Sequence, residues 1–265
     1  MKRRQFRMFR CAVAGVEAVE AETRHVFPRH THDQFGIGLV YRGAQKSLSG
    51  RGMVEAGPGD IITVNPGEVH DGAPIGDSGR AWKMLYFDPA LVAEAATDIC
   101  QEHRGVPEFS LPVIHDAGVA LRFSRLFRAL TTGDDAFDGE EEQLNLLAAV
   151  IGEAGGADRF LPPAVRRAKS RIDDDPAAPV SLADLASEGG MSRFQLLRAF
   201  ARATGLTPHA YLLQRRIDNA RRMIAAGTPL AIAAAGSGFA DQSHMTRVFI
   251  SKFGVSPGIY AAATS

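Results

Sequence analysis

Cysteine is scarce in this chain, with 2 in 265 residues. Cys11 and Cys100 stand far apart, with neither metal-ligand spacing nor a disulfide framework around them. A reducing compartment accounts for two free thiols more simply than a bridge does. Long apolar runs are also missing: none approaches the roughly 18 residues that a membrane span requires, so no membrane partner is expected. Lys2, Arg3, Arg4, Arg7 and Arg10 make the start basic, but the acidic residues Glu17, Glu20 and Glu22 come soon after, which makes a poor secretory signal. A cytoplasmic protein is the expectation. Net charge is lacking too, since 30 Lys and Arg balance 30 Asp and Glu. That average argues against nucleic acid, yet it hides a split. From Phe160 onward there are 13 Lys and Arg against 7 Asp and Glu, a balance of +6, which leaves 17 against 23, or −6, before it. Such asymmetry points to a nucleic-acid-binding second half.

What is present falls into two parts. The hydrophobic fraction of 45% suits a globular chain. Residues 24–90 are rich in Gly, Pro and short alternating runs. Phe35, Ile37, Leu39 and Tyr41 alternate with Gly36, Gly38, Val40 and Arg42, a strand period. Turn signals at Pro58–Asp60 and Pro66–Gly67 bracket the apolar run Ile61–Val64. Trp82–Phe87 reads as a further strand, stopped by Asp88–Pro89. Several short strands with regular turns predict a sandwich or barrel. From about Ala117 the period turns helical, with Leu121, Phe123, Leu126, Phe127 and Leu130, then a polar turn at Thr132–Asp135. A second helix with Leu144, Leu147, Ala148 and Ile151 comes after the acidic cluster Glu140–Glu142, which suits a helix N-terminus. Gly152–Asp158 and Pro162–Pro163 mark a boundary. The expected fold class is α+β in two domains, a β-barrel with a helical extension over 1–158 and an all-α domain over 159–265.

The second half is nearly duplicated. Leu182, Ala183 and Ala186 return 48 residues on as Leu230, Ala231 and Ala234. Arg198, Phe200, Gly205, Pro208 and Tyr211 return 49 residues on as Arg247, Phe249, Gly254, Pro257 and Tyr260. A fixed period means one supersecondary unit used twice, here a short helix, a Gly-containing break and a polar-faced helix, the outline of a helix-turn-helix. Ser181, Ser192 and Asp241 are candidate N-caps. On the helix over about 192–203, Leu196, Ala199 and Phe200 are expected inward, and Arg193, Phe194, Leu197 and Arg198 elsewhere. On that over about 241–252, Met245, Val248 and Phe249 are expected inward, and Gln242, Ser243, Thr246 and Arg247 outward. Gln and Arg on such a face suit the edges of adenine and guanine in double-stranded DNA. Pro208–Ala226 carries the stripe Leu212, Leu213, Ile217, Ala220 and Ile224 and joins the two units. Of its basic run Arg215, Arg216, Arg221 and Arg222, the two outward members are candidates for phosphate contact.

The run Gly238–Phe249, with Phe253–Pro257 and Tyr260 after it, resembles the signature of the AraC/XylS family of transcriptional regulators. Ser192–Phe200 with Gly205–Pro208 and Tyr211 resembles the family's first unit, so the likeness covers about residues 165–262. It implies that Phe194, Leu197, Arg198, Gln242, Ser243 and Arg247 face DNA bases. The family commonly carries a cupin-like sensor barrel, and His30-Thr31-His32 with Gly59, Gly67 and His70 resembles the cupin motifs. The cupin glutamate is missing, its place held by Gly36 or Ile37. No metal or other cofactor is therefore expected; pocket-lining or hydrogen-bonded histidines are the preferred reading, and His30, His32 and His70 are the set that would hold an ion. Arg42, Trp82 and Met84 match positions in the effector pocket of the arabinose-binding type, so His30, His32, His70, Arg42, Trp82 and Met84 are the candidate effector residues. Gly36 and Gly38 either leave room inside the barrel or mark bulges. The resemblance further implies a homodimer and contact with RNA polymerase. The chain reads as a small-molecule-controlled, DNA-binding regulator and not an enzyme. The alternatives are a cupin-type metal-dependent enzyme fused to a DNA-binding domain, and a ligand-independent repressor whose barrel only dimerises.

Overall fold

A computed structural model describes residues 6–11, 13–99, 106–132, 136–152 and 161–264, with backbone alone at 136–138. It divides into two units, 1–156 and 157–265. Cys100, the basic residues 2–4 and most of the boundary segment lie outside the described residues. Cys11 is a half-buried free thiol, pushed up to about 11 chiefly by burial and secondarily by Glu17.

The first unit runs β1 (Phe6–Phe9), β2 (Val16–Thr23), β3 (Phe27–His30), β4 (Phe35–Arg42), β5 (Ala44–Ser49), β6 (Gly52–Ala56), β7 (Ile61–Val64), β8 (His70–Ile75) and β9 (Arg80–Phe87). Then come α1 (Pro89–Ile99), β10 (Glu108–Phe109), β11 (Val113–Ile114), α2 (Ala117–Thr132), α3 (Ala136–Val150) and β12 (Ile151–Gly152). One sheet has the order β1-β2-β9-β4-β7-β11, a second β3-β8-β5-β6, and β10 pairs with β12. The pleat sends successive side chains to opposite faces. Phe35, Ile37, Leu85 and Phe87 go to one face of the large sheet, where Phe123, Leu126, Leu130, Leu146 and Leu147 cover them. Burying each such side chain stabilises by about 1.5–3 kcal/mol. Val40, Trp82 and Met84 go to the other face and meet Phe27 and Ala56 of the small sheet. The sheet-rich first half is therefore a layered barrel with helices against one side.

Details of the helical extension differ from expectation. The helix α3 begins at Ala136, so Glu140–Glu142 lie inside it, and Glu142 pairs with Arg125 of α2 at 3.6 Å. Its buried face is Leu146, Leu147 and Val150, while Leu144 is exposed; on α2 Leu121 is exposed as well. An acidic run serves an interior helix face as readily as a terminus when a neighbouring helix offers Arg.

The second unit is helical throughout: α4 (Pro163–Asp174), α5 (Leu182–Gly189), α6 (Arg193–Thr204), α7 (Pro208–Ala225), α8 (Leu230–Gly236), α9 (Gln242–Phe253) and α10 (Pro257–Thr264). The duplication persists in three dimensions. Ala186 and Ala234, Leu196 and Met245, Phe200 and Phe249, and Pro208 and Pro257 are buried pair by pair. The Phe200 and Tyr211 rings lie 5.6 Å apart, and those of Phe249 and Tyr260 lie 5.5 Å apart. Gly190 and Gly238 break the two units with φ of 64° and 77°, in the left-handed region that favours glycine. From Gly190 to the cap Ser192 is one residue shorter than from Gly238 to the cap Asp241, which is where the offset changes from 48 to 49.

Candidate nucleic-acid interface and sensor pocket

In α6, the Ser192 hydroxyl accepts from the Gln195 N–H while the Gln195 side chain accepts from the Ser192 N–H, a capping box. In α9, Asp241 accepts from the His244 N–H at 2.7 Å. Each cap fixes the first turn, the part of a recognition helix that meets base edges. Phe194 and Arg198 are exposed in the first helix, with Leu197 half-buried, and the Arg198 guanidinium lies 5.6 Å from the Phe194 ring centroid. Phe194 is 64% exposed, a large apolar ring left in water. Gln242, Ser243 and Arg247 are exposed on the second, Thr246 is half-buried, and Val248 is only partly buried. All six candidate base-facing residues thus lie off the buried faces of two helices whose cores are Leu196 with Phe200 and Met245 with Phe249.

The connecting helix α7 corrects the reading of its basic run. Arg215 is ion-paired to Asp173 of α4 at 2.9 Å, Arg216 donates to the carbonyls of Pro176 and Ala178, and Arg221 is buried with its guanidinium 6.0 Å from the Phe253 ring. Only Arg222 of the four is exposed. Tyr211 donates to Asp173 at 2.8 Å, and burial, with Asp173 beside it, pushes its hydroxyl up to about 12. Lys169 donates to the same carboxylate at 2.6 Å. Asp173 therefore gathers three partners and fastens α4 to α7.

In the barrel, His30 ends β3 directly across from His70 at the start of β8. His32 lies two residues beyond the end of β3. Pairing stops after His30, and the His32 carbonyl instead accepts from the Gly67 N–H at 2.7 Å. The three rings nonetheless converge, with centroids 4.9 Å (His30 to His32), 4.3 Å (His30 to His70) and 5.0 Å (His32 to His70) apart. One ring nitrogen from each lies within 4.8 Å of the others. Phe27 joins this cluster to the rest of the interior, 6.0 Å from His30 and 6.1 Å from Trp82. Trp82 and Met84 are both buried there. Gly36 and Gly38 face the same interior, and Met84 fills the space that their missing Cβ atoms leave.

Arg42 does not line this interior. A bulge between Val40 and Arg42 shifts the register against β9, so that Arg42 pairs with Ala81, whose neighbours Arg80 and Trp82 point to the opposite face. A bulge re-aims the side chain that comes after it, and Arg42 ends exposed, ion-paired to Glu22 at 2.6 Å. The interior cation is Arg80, which a strand starting at Trp82 leaves out. The signal is there in the sequence: Arg80, Trp82 and Met84 are two apart. Arg80 is 2% exposed, donates to Gln45 Oε1 at 2.8 Å and to the carbonyls of His25 and Gly72, and lies 4.7 Å from the Trp82 ring centroid. Burial lowers its guanidinium to about 10.

Residues 13–150, more than half of the chain, match the AraC-like ligand binding domain family. The chain belongs to the AraC family. Residues 185–263 match a helix-turn-helix domain family. An uncharacterized HTH-type transcriptional regulator of Bacillus subtilis (strain 168), YbfI, is 28% identical over 225 residues, spanning 83% of this chain and 81% of that one. The multiple antibiotic resistance protein MarA of Salmonella typhimurium is 30% identical over 90 residues, 34% of this chain and 71% of MarA. Among solved structures, apo ToxT K231A from Vibrio cholerae shares the fold with a TM-score of 0.60 at 14% identity, over 97% of this chain and 100% of that one. This AraC-family chain is therefore a transcriptional regulator with an N-terminal ligand-binding domain and a C-terminal helix-turn-helix DNA-binding domain. No described helix is long and apolar enough to cross a membrane. The AraC-family DNA-binding half supplies α6 and α9, and the ligand-binding half supplies the interior formed by Phe27, the three histidines, Arg80, Trp82 and Met84.

Proposed function

We propose that this regulator reads a specific double-stranded DNA sequence with α6 and α9 in successive major grooves, under control of a small molecule bound in the barrel. The observation that carries the DNA part is the exposure of Phe194, Arg198, Gln242, Ser243 and Arg247 on two capped helices of one duplicated unit. The 18-residue α7 between them spans about 27 Å at 1.5 Å per residue, and adjacent major grooves on one face of DNA are about 34 Å apart. A rigid connector of this length suits two helices set in neighbouring grooves. Gln242 offers a donor and an acceptor to adenine and Arg247 offers paired donors to guanine, while Phe194 and Leu197 offer apolar contact to thymine methyls.

His30, His32, His70, Trp82 and Met84 are the proposed effector-lining residues, with Arg80 added. A ligand changes DNA binding only through differential affinity for two states of the chain. A homodimer matches the two-fold logic of paired half-sites, and recruitment of RNA polymerase is the proposed output.

Selection of bound duplexes from a randomised pool by the full chain tests the reading and yields the operator. On that operator Arg247→Ala loses about 1–3 kcal/mol and relaxes preference at one base position. Equal weakening on every sequence would instead make Arg247 a phosphate contact and sink its role as a reader.

A further inference from the structure

We propose that His30, His32 and His70 form a binding site for one divalent first-row transition-metal ion. The missing cupin glutamate predicts no metal here, but the three rings converge. Sequence could place two histidines near one another and a third somewhere in the same barrel. The structure brings one nitrogen of each within 4.8 Å of the other two. An ion with Zn–N bonds of about 2.0–2.1 Å in tetrahedral geometry sets its ligands roughly 3.3 Å apart. Closing the remaining distance takes shifts of the order of an ångström, within reach of ring rotation and of His32, which stands outside the strand ladder.

The tautomers are also set for metal. His30 Nδ1 lies 2.7 Å from the Pro28 carbonyl and His70 Nδ1 lies 3.0 Å from the Glu68 carbonyl. A carbonyl only accepts, so each Nδ1 carries the proton, and in the neutral ring Nε2 carries the lone pair. Metal-ligating histidines characteristically donate their other ring N–H to a backbone carbonyl or carboxylate, which fixes tautomer and ring plane. Two of the three rings are held this way by the local chain itself, from the residue two positions earlier.

The donor set selects the ion. Three imidazoles suit zinc, copper, nickel and iron, whereas calcium and magnesium require oxygen. Among the described residues the group holds no carboxylate. At Gly36, one of the two places where a cupin glutamate would be expected, the Met84 methyl occupies the space that a Cβ would need. Three neutral donors leave the ion its full double charge and an open coordination position, where water or an anionic small molecule can bind. The site stands on the barrel geometry; its role as the sensor's ligand rests on the regulatory reading above.

The test uses the full chain without an affinity tag, stripped with a chelator and titrated with Co2+, whose visible d–d bands report its coordination geometry. One equivalent of Co2+ should bind with tetrahedral bands that Zn2+ displaces. His32→Ala and His70→Ala should each weaken binding more than about tenfold, in line with the sensitivity of metal sites to ligand support. Fluorescence of Trp82, the sole tryptophan, confirms that the stripped variants are folded. Absence of a saturable band in the wild-type chain, or bands unchanged in both variants, overturns the site. Operator binding on the same samples separates the two readings: a chain that binds operator but no Co2+ loses the site and keeps the regulator, and one that binds Co2+ but no DNA does the reverse.

Discussion

A guanidinium enclosed in an apolar barrel is costly unless its donors are satisfied, and Arg80 shows how this chain meets the cost. Its three nitrogens donate to Gln45 and to two backbone carbonyls from β8 and the β2–β3 connection, and its face rests on Trp82. No ion pair to Arg80 occurs among the described residues. Replacing it leaves three acceptors behind in a dry interior, at about 1–3 kcal/mol for a stranded group. Arg80→Met should therefore lower the unfolding free energy of the barrel by about 2–4 kcal/mol, read as a shift of the urea midpoint of Trp82 fluorescence. A loss below about 1 kcal/mol would mean that water reaches these acceptors. At this scale the sequence was only partly legible. Resemblance to the arabinose-binding type marked Trp82 and Met84 as pocket residues, and both are buried in the interior; the strand period of two, followed two residues earlier, leads to Arg80. Arg42 misled because a bulge carries no sequence mark stronger than its neighbours, and one extra residue moves every later side chain to the other face.

At the scale of elements, β4 against β9 shows what its two glycines do. A Cβ on Gly36 would come within 2.6 Å of Met84 Cε, the far end of a flexible side chain. A Cβ on Gly38 would meet Met84 Sδ and also the Lys83 carbonyl at 2.9 Å, which is backbone and cannot step aside. Overpacking typically costs about 1–3 kcal/mol. Gly38→Ala should fall in that range, and Gly36→Ala should cost less than about 1 kcal/mol, on the same fluorescence-monitored unfolding. Equal costs at both positions would show that Met84, not the strand backbone, sets the limit. Helical elements were far more legible. The caps Ser181, Ser192 and Asp241, the stop near Gly205, and the buried Phe200 and Phe249 come from short-range signals whose chemistry is local. The fates of Arg215, Arg216 and Arg221 were not legible, because their partners on α4, in the α4–α5 connection and on α9 lie up to 42 residues away. A basic run on a helix looks the same in sequence whether it faces phosphate or a neighbouring carboxylate.

For the whole molecule, that distinction changes what the charge split means. The second half carries 13 cations, but they are not equally available. Arg221 is buried, Arg215 and Arg216 are held by α4 and the α4–α5 connection, Lys169 is tied to Asp173, and Lys252 is half-buried, with burial lowering its ammonium. Eight of the 13 remain exposed. Each phosphate neutralised on B-DNA releases counterions and contributes about −0.9 to the slope of log K against log salt. The exposed set therefore bounds the slope at roughly −7 per protomer, and only cations on the DNA-facing side contribute, so the measured value should be shallower. The first half, at −6, supplies no compensating excess of positive charge. Titration of operator binding across salt concentrations, with the protomer count fixed by sedimentation, checks this. A slope steeper than about −7 per protomer would require the first half to touch DNA directly and would break the division of labour between a sensing and a reading half. A slope that flattens when Arg222→Ala is introduced, with base preference unchanged, would assign the one exposed arginine of the α7 run to phosphate, and through it the positioning of both recognition helices on one duplex.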